Sequence, residues 1–382
     1  LSNFAERNAK IKEKQTKRNC ESVKIENLEQ GDTVESSLTS DLLSWYDEKK
    51  RSLPWRGSVD PYHIWISEII LQQTRVDQGT GYFLKFIERF PCIERLAVAS
   101  EQEVLAVWQG LGYYSRALNV HRAAKIIVEE RQGCFPETAT EWKKLPGVGD
   151  YTASAVASIA FGDPQAAVDG NVLRVISRLT CENGSISDTL VRKRITSRAQ
   201  SMLSPNRPGD FNQAMMELGA LVCTPKRPKC DECPIVQYCR SHMRDQVQMY
   251  PVVVKKKPPK EVNMWYLVYF NRKGIFLRRR GSGSIWQQLW EFLPVSEEDY
   301  RSTRQGKCQV PQSQVIPELE RMLEHRLTHR TLRISFLPLH CSVGFTDDSL
   351  TFVVLNELKN YPLPVVFSKY LNEMGLWEGL IK

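Results

Sequence analysis

The strongest constraint on this chain is a change of hydrophobic period across Tyr250–Lys260. Up to about Arg244, apolar residues recur three and four apart, which places them on one face of an α-helix. Beyond Lys260 the period drops to two, the repeat of a β-strand. The segment between carries Pro251, the run Lys255-Lys256-Lys257 and Pro258-Pro259, which is linker composition. At 382 residues the chain also exceeds one ordinary core, so two domains are expected. The expected division is a polar tail over 1–36, all-α over 37–246, a linker over 247–262, and α+β over 263–382. The tail, rich in Lys and Glu, is expected to be disordered or a loosely attached helix.

In the first half the spacing predicts helices over 41–51, 62–82, 93–97, 101–108, 115–131, 141–144, 151–161, 172–179, 189–202 and 211–221. Pro54, Pro61, Gly110, Gly112, Pro164 and Pro208-Gly209 punctuate them, and no strand is expected there. In the second half, 264–270 and 275–280 flank a turn at 271–274 and read as a hairpin. Further strands are expected at 289–294, 331–337 and 351–355, with helices at 314–324 and 366–373. No internal repeat is visible.

Net charge is +8, which favours a polyanionic partner without identifying one. No apolar run approaches a membrane span, and the N-terminus lacks a signal-peptide core. The first residue is Leu1, so a missing leader is the corresponding expectation. The basic run Lys10–Arg18 reads as a nuclear-import patch or a solvated tail. Of the ten cysteines, Cys223, Cys230, Cys233 and Cys239 crowd together and the rest are scattered. That is no secreted disulfide framework; it is one metal or cluster site plus incidental thiols in a reducing compartment. The spacing is six, two and five residues, and only Cys230/Cys233 form a zinc-type knuckle.

Three other stretches carry chemistry. Leu145-Pro146-Gly147-Val148-Gly149 is a glycine turn opening onto a helix, whose N-terminus suits a phosphate. Gly147 and Gly149 are both expected to use backbone angles closed to other residues or to admit close backbone approach. Asp169 follows in an Asp-Gly-Asn turn and is a helix cap, a functional carboxylate, or both. Amides and the nearby dipole are expected to keep it ionised. Glu68 has Ile64, Trp65, Leu71 and Gln72 as helical neighbours; three of these are apolar, which predicts a raised carboxyl pKa suited to a general acid. From spacing alone, a glutamate at the rim of a helix face explains it as well.

The cysteine spacing, the glycine hairpin and the following aspartate together resemble the endonuclease III and MutY group of DNA glycosylases. Arg51–Arg56 (RSLPWR), 67–74 (SEIILQQT), 108–116 (WQGLGYYSR) and 211–220 (FNQAMMELGA) resemble its MutY-type adenine glycosylases in particular. The resemblance spans about residues 40–380. It implies that Cys223, Cys230, Cys233 and Cys239 hold a [4Fe–4S] cluster, with zinc as the alternative, and that the loop with Lys226, Arg227 and Lys229 meets phosphates. It implies that Gly147 and Gly149 belong to a helix-hairpin-helix that grips DNA. It makes Glu68 the proton donor to adenine and Asp169 the stabiliser of the oxocarbenium-like sugar, with Tyr151 and Asn171 supporting. Arg51, Leu53, Trp55, Arg56 and Glu217 become the adenine pocket. Gln73 and Tyr113 become side chains inserted into the duplex, an aromatic wedge replacing lost stacking. Endonuclease III-type enzymes carry a nucleophilic lysine where this chain has Tyr151; Lys143 and Lys144 precede the hairpin, so no strong lyase activity is expected.

The second half resembles the Nudix-like domain of MutY proteins through 275–280 and 286–294 (WQQLWEFLP). Glu318, Glu320 and Glu324 near Arg321 do not form the magnesium-binding Nudix box, so the domain is expected to read rather than hydrolyse. Leu327-Thr328-His329 stands where bacterial relatives carry Phe-Ser-His, which makes Thr328 and His329 the lesion-reading candidates. His325 and His329 are four apart, and surface or DNA contact is preferred to metal.

The implied function is a monofunctional glycosylase removing adenine mispaired with 8-oxoguanine, and with guanine, in base excision repair. The partner is duplex DNA carrying that mispair, with no membrane and a monomeric chain; repair or replication partners are not specified. The expected compartment is the nucleus or mitochondrion, or the cytoplasm of a bacterium. Two alternatives remain: an endonuclease III-like pyrimidine glycosylase/lyase and a non-catalytic lesion binder.

Overall fold

The computed structural model describes residues 31–254, 258–281, 283, 285–307, 312–327, 329–342 and 344–375. The helical half contains α1 (Gly31–Lys49), α2 (Pro61–Leu71), α3 (Val76–Arg89), α4 (Ile93–Val98), α5 (Glu101–Val107), α6 (Ser115–Arg131) and α7 (Ala139–Trp142). It continues with α8 (Asp150–Phe161), α9 (Gly170–Thr180), α10 (Thr189–Ser201), α11 (Pro208–Leu221) and α12 (Arg240–Met243). The second half contains β1 (Lys260–Phe270), β2 (Gly274–Arg279), β3 (Trp290–Glu291), β4 (Leu293–Val295), α13 (Glu297–Arg304), β5 (Ser313–Val315), β6 (Arg321–Arg326), β7 (Arg330–Cys341), β8 (Thr351–Val354) and α14 (Val365–Glu373). Among the described residues no helix is long and apolar enough to cross a membrane.

These elements form two compact units that do not follow chain order. One comprises described residues 31–52, 137–142 and 149–254; the other comprises 53–136, 143–148 and the described residues beyond 257. In the first, α9 is the central helix: Val172, Leu173, Val175, Ile176 and Leu179 are buried among Leu42 and Tyr46 of α1, Ile195 of α10 and Phe211, Met215 and Leu218 of α11. Side-chain caps start α9 and α10. Asp169 accepts from Val172 N–H and Asp188 from Leu190 N–H, satisfying amides that a helix start leaves open.

In the second unit a mixed sheet runs in the order β3-β2-β1-β7-β5. Strand β1 pairs parallel with β7 along its whole length, from Lys260↔Arg330 to Phe270↔His340. The expected hairpin forms, with Phe270 opposite Ile275. Successive residues of β1 go to opposite faces: Tyr266 and Val268 into a core with Phe367 and Tyr370 of α14, Leu267 and Tyr269 into another with Tyr300 of α13. Both faces are covered, which is why the strand reads as a nearly continuous apolar run.

Several elements differ from the sequence reading. The expected helix over 62–82 is two helices, broken at Gln72–Arg75 where Gln73 takes φ 57°. Arg116 draws off the carbonyls of Ile69, Ile70 and Gln72 that a continuing helix would have used. The expected helix over 314–324 is β5, a 3-10 turn Pro317–Leu319 and β6. Pro317 lacks an amide donor, and β6 pairs antiparallel with β7. Helix α13 has no counterpart in the sequence reading, because only Tyr300 and Thr303 of it are buried. Helix α1 begins at Gly31, inside the expected tail. Residues 1–30, with Lys10–Arg18, lie outside the described residues.

Candidate functional site

The turn before α8 uses its two glycines differently. Gly147 has φ +76°, and a Cβ there would lie 2.5 Å from Asn119 Cβ on α6. Any other residue would need both an unfavourable backbone angle and a displaced neighbour. Gly149 has φ −91°, open to any residue, and nothing lies within 4 Å of where its Cβ would be. The strained-backbone expectation therefore holds for Gly147 and is corrected for Gly149. Gly149 caps α8 with no side chain, leaving its outer side open. Leu145 and Val148 are buried and pin the turn. Lys143 and Lys144 are exposed on it.

Asp169 is at once the cap of α9 and a mostly buried carboxylate. Val172 N–H donates to it at 2.8 Å and Asn171 Nδ2 at 2.7 Å. Burial pushes its carboxyl pKa up, and those two donors and the Arg174 charge only partly oppose that. The amides weighed in the sequence reading do support the charged form, and burial, which no local pattern shows, acts against them. Asn171 is itself held: Arg174 donates to its Oδ1 at 2.9 Å, to Gly219 O at 2.7 Å and to Cys223 O at 2.8 Å. Gly219 on α11 permits this, since a Cβ there would lie 2.5 Å from Asn171 Cβ. One turn further along α9, the buried Arg178 donates to Thr224 O, Pro225 O and Tyr250 O and reaches Cys223 Sγ at 3.3 Å. A chain of polar contacts thus joins Asp169 to the first cysteine. Arg174 and Arg178 were missed by the sequence reading; two arginines four apart on an otherwise apolar helix face were the available signal.

The same unit holds Arg51, Glu217 and Tyr151. Glu217 is buried on α11, and Arg51 takes both its oxygens through Nε and Nη2, at 2.7 Å each, with its backbone N–H on one at 3.0 Å. Removing Arg51 would strand the buried Glu217 carboxylate, which costs about 3–5 kcal/mol. Tyr151 hydroxyl meets Met216 Sδ at 3.1 Å, beside Glu217 in sequence.

The other unit holds Glu68, Leu53, Trp55, Arg56, Gln73, Tyr113 and Gly147. Glu68 is half-buried on α2, whose neighbouring residues Ile64, Trp65, Ser67 and Ile69 are buried. Trp55 is buried edge-on against Phe83, with ring centroids 5.2 Å apart; Leu53 and Arg56 are half-buried beside it in sequence. Gln73 and Tyr113 are exposed at turn tips, with φ 57° and 48°.

The cysteine loop fits a cluster. Cys223, Cys233 and Cys239 pack against the first unit's core, and 3-10 turns at Cys230–Glu232 and Val236–Tyr238 fold the segment back on itself. Burial pushes the Cys233 thiol up to about 12; a bond from the Ile235 backbone opposes that, and charge on Cys223, Cys239 and Cys230 adds to it. Gathered thiols that repel one another as thiolates are what a bound iron–sulfur group neutralises. Among the described residues no three His, Cys, Asp or Glu close tightly enough around a single ion. Lys226, Arg227 and Lys229 are exposed on the intervening loop.

In the sheet, Thr328 lies outside the described residues, and His329 is exposed just before β7. His325 on β6 is half-buried beside Trp286, 5.7 Å between rings, and burial lowers its pKa. His325 lies on β6 and His329 between β6 and β7, so the two share no helical face. Glu320 and Glu324 are taken up by Arg304 and Arg326.

Comparison with known proteins agrees with this geometry. Residues 66–201 match the HhH-GPD superfamily of base excision DNA repair proteins, 264–373 the NUDIX domain, and 223–239 the iron-sulfur binding domain of endonuclease III. The human adenine DNA glycosylase is 46% identical over 218 residues, 55% of this chain and 40% of its own length. The chain therefore spans about two fifths of that relative. The adenine DNA glycosylase of Buchnera aphidicola subsp. Baizongia pistaciae is 34% identical over 298 residues, 77% of this chain and 83% of its own. A solved structure of a thermostable thymine-DNA glycosylase superposes with TM-score 0.51 at 29% identity, over 56% of this chain and 98% of that one.

Proposed function

The chain belongs to the adenine DNA glycosylase family, and from that premise we propose that it removes adenine mispaired with 8-oxoguanine, and with guanine, leaving an abasic site. In this reading 37–246 does the chemistry and 263–382 reads the lesion, with His329 and Thr328 as its contacts. The helix-hairpin-helix at Gly147 and Gly149 and the loop with Lys226, Arg227 and Lys229 hold the backbone. Gln73 and Tyr113 enter the stack as adenine leaves it. Leu53, Trp55, Arg56 and the Arg51–Glu217 pair receive the base. Glu68 protonates adenine at N7 as the glycosidic bond breaks, and Asp169 stabilises the positive sugar, two carboxylates dividing the work as in glycoside hydrolysis. Water completes the reaction. The iron–sulfur cluster, held by Cys223, Cys230, Cys233 and Cys239, supplies a fixed scaffold for the basic loop.

The observation that carries this reading is Asp169: a buried carboxylate at a helix start, its ionised form supported by Val172 N–H and Asn171. Tyr151, standing where lyase-type enzymes carry lysine, favours base removal without strand cutting. The test is incubation with duplexes carrying adenine opposite 8-oxoguanine or carrying thymine glycol, with and without alkali. Adenine release with scission only after alkali is expected. Direct scission at thymine glycol would establish the pyrimidine glycosylase/lyase instead, and binding without release a lesion binder. Glu68→Gln should abolish excision while duplex binding remains, and retained turnover would sink the role given to Glu68.

A further inference from the structure

Two turns of the second unit share an unusual feature. Gln73 and Tyr113, neither of them glycine, both sit in the left-handed backbone region and both expose their side chains, Tyr113 by 48%. The conformation is uncommon for non-glycine residues, and among the described residues of this unit Gln132 and Gln312 also show it with exposed side chains. One residue reaches both the Gln73 and the Tyr113 turn. From the start of α6, Arg116 Nη1 donates to the carbonyls of Ile69 at 2.6 Å, Ile70 at 3.1 Å and Gln72 at 2.7 Å, the last turn before Gln73. Its Nη2 faces Gly112 O at 3.3 Å and Leu111 O at 3.5 Å, immediately before Tyr113. The guanidinium lies 5.3 Å from the Trp108 ring centroid and 5.6 Å from that of Tyr113. Burial pulls its pKa down to about 10, so it remains cationic at neutral pH, which suits carbonyls at a helix C-terminus. Only a planar fork can serve two groups of carbonyls on either side; lysine offers a point charge.

We propose that Arg116 is a positioning residue that locks the Gln73 turn and the Tyr113 turn into one rigid element, so that the two exposed side chains meet the duplex in fixed register. This rests on the reading above that Gln73 and Tyr113 probe DNA.

The test is a double-mutant cycle on the full chain, using dissociation constants for a duplex with adenine opposite 8-oxoguanine. With Arg116 in place, the Gln73→Ala, Tyr113→Ala double variant should lose about fivefold less than the product of the single losses. In an Arg116→Lys background the two losses should multiply, a change that general destabilisation does not produce. Losses that multiply already with Arg116 in place would overturn the proposal; that arm needs no arginine substitution and so survives a variant that fails to fold. Amide exchange on the free protein gives a second arm independent of DNA. Arg116→Lys should speed exchange at 72–74 and 110–113 together while α9 is unchanged. Faster exchange at one turn alone would refute the shared lock. A chain that binds no such duplex would defeat the functional reading, while the exchange result would still decide this one.

Discussion

At the scale of single residues, Asp169 carries a measurable cost. Its ordinary pKa is 3.8 and burial moves the folded value up. The folded state then holds the proton more tightly than the unfolded one. Asp169 therefore favours the fold below about 3.8, and that contribution is lost as pH rises through the raised value. Asn caps helices as well as Asp does and carries no charge. Asp169→Asn should accordingly melt higher than the parent at pH 7–8, with the difference vanishing in acid, while excision is lost. A variant that melts lower at neutral pH would show that the donors outweigh burial. Asn171→Leu removes one of those donors, so the acid limb of excision should move to higher pH; an unmoved limb would take Asn171 out of the carboxylate's support. The position of Asp169 was legible in the sequence, since an Asp-Gly-Asn turn before an apolar run announces a cap. Its electrostatics were not, because burial comes from packing of the surrounding helices that no local pattern encodes. The glycines divide the same way: Gly147 is explained by Asn119, which lies 28 residues earlier in sequence, and Gly149 by open space.

At the scale of elements, the boundaries of α4, α6, α8, α9 and α10 follow from helical spacing because each has its own apolar stripe and stop signal, whereas α11 starts at Pro208, three residues before the expected Phe211. The failures have a common cause. The 62–82 run keeps helical spacing of apolar residues on both sides of a polar break, Gln72–Arg75, that is imposed from α6, and the 314–324 run has helical spacing but is claimed by pairing with β7. Non-local partners decide both. The loop between Cys223 and Cys230 is the opposite case, a short element whose role can be tested by itself. Its bends are fixed by Thr224 Oγ1 donating to Arg227 O and by Gln248 donating to Lys226 O, which leaves the basic side chains facing solvent. Each phosphate contact contributes about 0.9 to the slope of log affinity against log salt. Replacing Lys226 and Arg227 by alanine should therefore flatten that slope by about 2 and leave the excision rate of saturated enzyme unchanged. An unaltered slope would remove this loop from the DNA footprint.

At the scale of the whole molecule, the two units are built from interleaved stretches of chain, and one break between them falls after Val254, inside the 247–262 stretch read from composition. The cluster belongs to one unit only. Its cysteines pack on the α9–α11 core, and Arg178 ties the same loop to Tyr250 and to Thr224 and Pro225. Because metal affinity is folding free energy where the site is not otherwise closed, losing the cluster should loosen that unit selectively. Cys233→Ser is the sharpest probe, since its thiol packs against the first unit's core and burial pushes its pKa well up. Three outcomes are expected together: loss of the cluster's visible absorbance, faster amide exchange through 222–250 and along α9, and weaker duplex binding. Exchange in β1 and β7, whose cores of Tyr266, Phe336 and Phe367 on one face and Leu267, Leu337 and Leu339 on the other contain no part of the loop, should be unchanged. Equal acceleration in β1 and β7 would mean that the units unfold as one, and that the cluster stabilises the whole chain and not the DNA-gripping part alone.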